Sequence, residues 1–332
     1  MNLLFAGDWA PYKKVENVYG DHTIIYNLEC AFADDEIVGY KAYESVLSTS
    51  CIDNVMPAGF ASLSIANNHV YDAGPNRFDY VVDEFERRGL RYFGIYDRPY
   101  AELNHRRKKI AVIGCLEPCR SRGQRIFKQE DVPPLVRRIR REFDKIYIYP
   151  HWGKEGEYTR FPSPMQRRLA RSWIDEGADG VFGCHSHVFQ GREFYKGKPI
   201  YYSLGNFYFP HPEGKLYEGT DVGLCVEIDE DKVKERFVRE GVLIEDVAEI
   251  KHLKEVIESI SEPLKNWTTW KWARAVGPFN IKKNMASWRI RLRKNFVKTL
   301  PKFLVWQILP KTLLFRVARI FNPKDAERKK LR

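Results

Sequence analysis

No two of the six cysteines, Cys30, Cys51, Cys115, Cys119, Cys184 and Cys225, are spaced CxxC. Cys115 and Cys119 flank Leu-Glu-Pro, a spacing that suits neither a zinc finger nor a redox pair. Reduced, mostly buried thiols in a cytoplasmic protein are expected instead. The chain runs straight into NLLFAGD, which reads as a strand and a loop, so no signal peptide is expected. Internal repeats and low-complexity tracts are missing, which excludes solenoid and compositionally biased architectures. Long apolar runs are also scarce. In the C-terminal region the longest is about seven residues, against the roughly 20 that span a bilayer.

What is present is 332 residues, 44% of them hydrophobic, enough for one large domain plus an appendage. The net charge of +11 hides a division. Residues 265–332 hold 19 Lys and Arg against Asp325 and Glu327, a net +17. The remaining 264 residues hold 36 basic and 42 acidic groups, a net −6. A mildly acidic body therefore carries a strongly basic tail.

Strands are expected at 3–6, 23–28, 61–65, 109–115, 145–149, 180–182 and 200–204. Several are β-rich without alternation, as strands buried on both faces are. Helices are expected at 75–88, 132–143 and 164–176. In the first, Pro75 opens the helix, Gly89 closes it, and Phe78, Val81, Val82 and Phe85 share a face. In the third, Met165, Leu169 and Trp173 form the stripe. Runs 223–228 and 237–244 predict an antiparallel edge pair, and 248–260 a helix. Alternating strands and helices predict a layered α/β fold.

Polar residues follow the strands. Asp8 follows the first, Glu29 the second, and Asn67-Asn68-His69 the third, with Asp72 and Gly74 behind. His151 leaves the fifth strand, His185-Ser186-His187 the sixth, and Gly205-Asn206 the seventh. Each has an ordinary explanation alone: Asp8 as a turn or cap, Asn67 and Asn68 as turn residues, His151 as a satisfied polar histidine. Open α/β sheets gather functional groups beyond the carboxyl ends of their strands. Imidazoles and carboxylates spread over several loops suit a catalytic Zn, Mn or Fe site. His185 and His187 can converge through one intervening residue.

The ordered set Gly7-Asp8, Asn27–Glu29, Ala66–Gly74, His151–Gly153, Gly183–Gly191 and Tyr202–Phe207 resembles the CapA family of bacterial proteins linked to capsule and poly-γ-glutamate synthesis. The resemblance covers about residues 1–230, and Gly39-Tyr40-Lys41 is similar to that family's lysine segment. The family is related to calcineurin-like metallophosphoesterases. The resemblance implies an α/β/β/α sandwich of two mixed sheets. The domain is expected over residues 1–260, and composition marks a basic, Trp-rich helical tail over 261–332. It implies one or two divalent ions held by Asp8, Glu29, Asn68, His151, His185 and His187. Glu29 would take the place of the bridging carboxylate, Asp8 would bind a metal and Asn68 the second one, and His151 and His185 would be ligands of one metal and His187 of the other. His69 would be the general acid, within a motif that includes Asp72. Lys41 and Asn206 would hold an anionic substrate group, or simply fix loops. Two departures separate the chain from phosphoesterases. Their opening D-x-H reads Asp8-Trp9-Ala10 here, and glutamate replaces aspartate at position 29.

The expected function is a metal-dependent hydrolase or transferase acting on an anionic cell-envelope polymer or its precursor. A non-catalytic subunit of a polymer-synthesis complex, with envelope-biosynthesis partners, is the alternative. The tail carries Trp267, Trp270, Trp272, Trp288 and Trp306, with basic helices expected at 281–298 and within 301–321. Tryptophan among Lys and Arg predicts docking on an anionic membrane surface at its inner face. A partner protein is a second reading. Nucleic acid is disfavoured, because no nucleic-acid-binding motif accompanies the charge.

Overall fold

A computed structural model of the chain describes residues 3–14, 22–34, 45–55, 61–118, 125–210, 217–229 and 232–277. Lys41, Cys119 and the helices expected at 281–298 and within 301–321 lie outside the described residues. The chain divides into the units Met1–Val276 and Gly277–Arg332. The first includes residues 261–276, expected in the tail. Leu264 joins its core, and Trp267 stacks on Phe161 at 5.2 Å.

The strands are β1 (Leu3–Trp9), β2 (Thr23–Leu28), β3 (Ala31–Ala33), β4 (Val46–Ser48), β5 (Ala61–Ser64), β6 (Tyr92–Phe93), β7 (Tyr100–His105) and β8 (Lys108–Leu116). They continue as β9 (Lys145–His151), β10 (Gly180–Phe182), β11 (Arg192–Tyr195), β12 (Lys198–Tyr201), β13 (Asn206–Tyr208), β14 (Val222–Asp229), β15 (Lys232–Arg239) and β16 (Val242–Leu243). The helices are α1 (Pro75–Arg87), α2 (Val132–Ile139), α3 (Pro164–Asp175) and α4 (Val247–Ser261). One sheet runs β16-β15-β14-β1-β2-β5-β6, with β13 also paired to β1. Its β1, β2, β5 and β6 are parallel, while β14, β15 and β16 are antiparallel. The other runs β11-β12-β10-β9-β8-β7, parallel except for its two edge strands.

Alternation along β1 sets the layers. Leu3 and Phe5 point toward the second sheet, where Phe5 stacks on Phe182 at 4.0 Å. Leu4 and Ala6 point the other way, into a core shared with Phe78, Val81, Val82 and Phe85 of α1. Each such buried side chain contributes about 1.5–3 kcal/mol. The outer face of the second sheet, Ile113, Ile146 and Ile148, packs on Val136 of α2 and Trp173 of α3. Helix, sheet, sheet and helices therefore follow one another, as the expected sandwich requires. Leu253, Ile257 and Ile260 of α4 join the core between the sheets.

Several expectations change in detail. Of the expected stripe Trp173 is buried but Met165 is 54% exposed; Gln166, Ala170 and Ile174 are buried beside Trp173. The first turn explains this, because Ser163 and Gln166 form a capping box that turns Gln166 inward. The strand expected at 200–204 is β12, which ends at Tyr201, and a further strand, β13, follows Gly205, whose φ is 70°. The strand expected at 237–244 is β15, a turn at Glu240-Gly241, and β16. Its partner β14 lies inside the sheet beside β1, not at the edge. Helix α2 stops at Ile139, where the Arg140 guanidinium turns to bond Gly177 O at 2.9 Å. Cys30, Cys115, Cys184 and Cys225 are buried and Cys51 is half-buried. Among the described residues no helix is long and apolar enough to cross a membrane.

Candidate metal centre

The strand ends converge because their backbones pass unusually close. A Cβ on Gly7 would lie 1.8 Å from Gly205 O, and the next residue, Asp8, donates its N–H to that oxygen at 2.9 Å. A Cβ on Gly183 would lie 2.1 Å from Tyr202 O. These two glycines bring Asp8 of β1 and the loop after β10 to one point. Glu29 follows β2, its N–H bonded to Trp9 O at 2.9 Å. Asn67, Asn68 and His69 follow β5, and His151 ends β9. His185 and His187 take φ of 96° and 58°, a region costly for residues with side chains. Such strain costs about 1–3 kcal/mol per residue and gathers at functional sites. Here a bond from the His185 backbone N–H to Asp8 Oδ2, at 3.0 Å, holds the turn.

Glu29 is the hub. Its Oε1 lies 3.4 Å from His151 Nε2, 3.8 Å from His187 Nε2, 3.9 Å from His185 Nδ1 and 3.8 Å from His69 Nε2. Asp8 Oδ2 lies 3.7 Å from His187 Nδ1, and Asp8 Oδ1 lies 4.0 Å from His151 Nδ1. Both carboxylates have no solvent exposure. Burial raises the pKa of Asp8, and it raises that of Glu29 further, with the neighbouring Asp8 charge adding to it. Burial lowers the pKa of His151 well below the usual imidazole value, and that of His187 as well. The imidazoles are thus held neutral, the form that binds metal.

Amide side chains orient the cluster. Asn27 Nδ2 lies 2.7 Å from Asp8 Oδ1 and 3.0 Å from His151 Nδ1. Asn68 Oδ1 lies 2.5 Å from His151 Nε2. His69 Nδ1 lies 2.7 Å from Asp72 Oδ2, and both side chains are partly exposed at the mouth of the site. Asn206, expected at the substrate, stands behind His187. It is 4% exposed, its Oδ1 lies 3.0 Å from His187 Nδ1, and its Nδ2 donates to Thr220 O at 2.9 Å. Both ends of the amide are engaged within the protein.

Above the cluster opens a cleft of about 210 Å³, lined by His69, Glu117, Lys154, Glu157, Tyr158 and Phe209 among others. Phe209 stacks on His187 at 4.8 Å, and Tyr158 stacks on its neighbours His187 at 5.3 Å and Tyr217 at 4.0 Å. Glu117 Oε2 accepts the Gly153 N–H at 2.5 Å and so holds the loop after His151. Sequence reasoning gave no role to Asn27, Glu117, Glu157 or Tyr158. Asn27 sat within a quoted motif, and its position two residues before Glu29 was the available signal. Trp152 shapes the loop after His151. It stacks on Trp173 at 5.1 Å and donates from Nε1 to Tyr202 O at 2.8 Å.

The residues fit a divalent cation. Both oxygens of Glu29 are buried, and neither receives a hydrogen bond of normal geometry among the described residues. An uncompensated buried carboxylate costs several kcal/mol, and a cation removes that cost. Glu29, His185 and His187 can share one ion, and Asp8, Glu29 and His151 another, with Glu29 common to both groups. The donor set of carboxylate and imidazole suits Zn, Mn or Fe.

The family model described as bacterial capsule synthesis protein PGA_cap matches residues 7–211. The PGA biosynthesis protein CapA of Bacillus subtilis is 30% identical over 164 residues, 45% of this chain and 43% of that protein. The capsule biosynthesis protein CapA of Bacillus anthracis is 31% identical over 176 residues, 47% of this chain and 41% of that protein. The matched segment thus spans less than half the length of either relative. Among solved structures, a novel phosphatase from Mycoplasma pneumoniae aligns with a TM-score of 0.47 at 15% identity, over 76% of this chain and 96% of that one. With its family model matched from the Gly7-Asp8 motif through Phe207, the chain belongs to the bacterial capsule synthesis protein PGA_cap family.

Proposed function

We propose that the protein is a metal-dependent hydrolase or transferase in the synthesis of capsule, poly-γ-glutamate or another envelope polymer. Its substrate is an anionic polymer or a phosphorylated or γ-glutamyl precursor. The observation that carries this reading is the Glu29 carboxylate, fully buried with no hydrogen bond of normal geometry among the described residues and with Oε1 within 3.9 Å of nitrogens on four histidines. Asp8, Glu29, Asn68, His151, His185 and His187 would hold one or two divalent ions. A divalent ion bound there would supply a nucleophilic water at neutral pH and stabilisation of charge developing on oxygen. His69 faces the cleft with Nε2 while Asp72 holds Nδ1, so His69 can pass a proton to a leaving group. The test is elemental analysis of the purified protein coupled to a screen of phosphoesters and γ-glutamyl peptides. Bound Mn, Zn or Fe and turnover lost in His185→Ala are expected. A metal-free protein whose His185→Ala variant keeps full activity would sink the proposal.

One observation favours a second reading, a non-catalytic accessory subunit. The position of the D-x-H histidine is Ala10, which is buried and offers no ligand. Turnover that disappears in His69→Ala with fold and metal retained rules this reading out.

We also propose that the basic tail holds the protein at the inner face of an anionic membrane. The charge of residues 265–332 and their five tryptophans support it. Full-length protein is expected to float with anionic vesicles, and a chain lacking residues 281–332 to remain behind. Indifference of the full-length protein to such vesicles defeats this reading.

A further inference from the structure

The loop after β9 is fixed along its backbone yet leaves one charged side chain unengaged. Gly153 takes the left-handed region at a φ of 89°, and a Cβ there would lie 2.4 Å from Gln166 Nε2. Glu117 Oε2 accepts the N–H of Gly153 at 2.5 Å and that of Lys154 at 3.3 Å. A single 3₁₀ turn follows over Lys154–Gly156, closed by the Gly156 N–H on Gly153 O at 2.7 Å. Beyond it the Tyr158 N–H bonds Ser186 O at 2.8 Å, which ties the loop to the turn between His185 and His187. The backbone of Lys154 is therefore held beside the cleft from both directions.

Its side chain is free to act. Lys154 is exposed and lines the cleft, and its ammonium has no ion pair or hydrogen bond among the described residues. Lysines elsewhere on the same unit are paired: Lys145 and Lys198 with Asp179, and Lys196 with Asp175. Among the described residues that line the cleft, Lys154 is the one lysine or arginine, and Glu117 and Glu157 are the acidic side chains beside it. Glu117 commits Oε2 to backbone N–H groups. An anion entering the cleft is repelled by those two carboxylates and finds one permanent positive charge. An ammonium on a flexible four-carbon stem offers three donors and accepts a carboxylate or a phosphate without a fixed approach.

We propose that Lys154 binds a second anionic group of the substrate, a carboxylate or phosphate that does not react, while the reacting group lies at the metal cluster. The cleft thereby selects substrates with two negative charges a short chain apart over singly charged ones. Lys154 takes up the anion-holding role expected of Asn206, whose amide is engaged within the protein. This deepens the functional reading above and rests on it for the position of the reacting group.

The experiment uses the full chain loaded with Mn²⁺, dialysed, and titrated by calorimetry with two matched pairs of probes. One pair is a γ-linked glutamate tetramer and the same peptide with its α-carboxylates as amides. The other is propane-1,3-diyl bisphosphate and propyl phosphate. Wild type is expected to bind the more anionic member ~10-fold tighter in at least one pair, and the pair that shows it identifies carboxylate or phosphate as the group held. Lys154→Met should abolish that preference, Lys154→Arg should keep most of it, and Lys154→Glu should reverse it. Wild type without preference in both pairs would overturn the inference, as would a preference that survives in a folded Lys154→Met. If Lys154→Met fails to melt cooperatively, salt decides on wild type. The preference should fall as ionic strength rises, and one that salt leaves unchanged counts against an exposed ammonium. Elemental analysis of the same samples reads the metal separately. A wild type that takes up no ion defeats the metal reading, whereas normal ion content in a Lys154→Met that has lost the preference confirms Lys154 alone.

Discussion

Glu29 Oε1 lies 3.4 Å from His151 Nε2, with the carboxylate fully buried and the imidazole nearly so. In the metal-free protein the two groups oppose each other's usual pH behaviour. Burial raises the pKa of Glu29 above its unfolded value, so the folded state binds more protons there as pH rises past about 4. Stability is therefore lost on the way to neutrality. Burial lowers the pKa of His151, so the folded state binds fewer protons as pH falls below about 6.5, and stability is lost toward acid. Glu29→Gln is expected to melt higher than wild type at pH 7 in chelator. Saturating divalent ion reverses the order, because an ion at 100 times its Kd adds about 2.7 kcal/mol to wild type. Thermal melts in chelator and in metal check both halves.

His69 and Asp72 form a pair at the mouth of the site, 2.7 Å apart. The pairing leaves Nε2 toward the cleft. His69→Ala is expected to lower kcat/KM by ~10²–10⁴-fold, the range for a lost general acid. Asp72→Asn disturbs the tautomer without removing the imidazole, so its loss should be smaller. Ion content should stay at the wild-type level in both. Kinetics on a phosphoester substrate, paired with metal analysis, check this; a His69→Ala variant with unchanged kcat/KM would remove His69 from the mechanism.

That the residues expected at the site lie together was legible because the pattern needed only strand ends. Glu29, Asn68, His151, His185 and His187 follow or end a buried strand and Asp8 is the penultimate residue of β1, and the two sheets bring those ends together. The two mixed sheets were legible through the resemblance rather than through periodicity. Other features depended on tertiary geometry. The polar strands β7, β11 and β15 lie at or near sheet edges, where alternation with charge hides the strand. The direction of the Asn67 and Asn27 amides depends on two backbone N–H groups that no spacing rule reports. Tyr158 reaches the cleft through a φ of 63°, which sequence does not predict for tyrosine.

Asn206 gives two expectations that kinetics separates. A substrate-holding role predicts that Asn206→Ala raises KM. Its hydrogen bond to His187 Nδ1 predicts instead a metal site weakened by ~10–100-fold, with KM unchanged once metal saturates. Calorimetric metal affinity and KM at saturating metal, measured on the same variant, are expected to follow the second pattern. A raised KM with wild-type metal affinity restores the substrate role.

Trp152 ties the metal loop to the core. It is 1% exposed, stacks on Trp173 at 5.1 Å, and gives its indole N–H to Tyr202 O at 2.8 Å. Gly183 presses on the same indole, since a Cβ there would lie 2.4 Å from Nε1. Trp152→Ala removes the ring and the bond together, at an expected cost of about 3–5 kcal/mol. Trp152→Phe keeps an aromatic ring but leaves the Tyr202 carbonyl without its indole donor, for about 1–3 kcal/mol. Because Trp152 follows His151 and supports the turn into His185, Trp152→Ala should also weaken metal binding, and Trp152→Phe less so. Urea unfolding and metal titration of both variants check the order; equal losses in the two would show that packing of the ring contributes little.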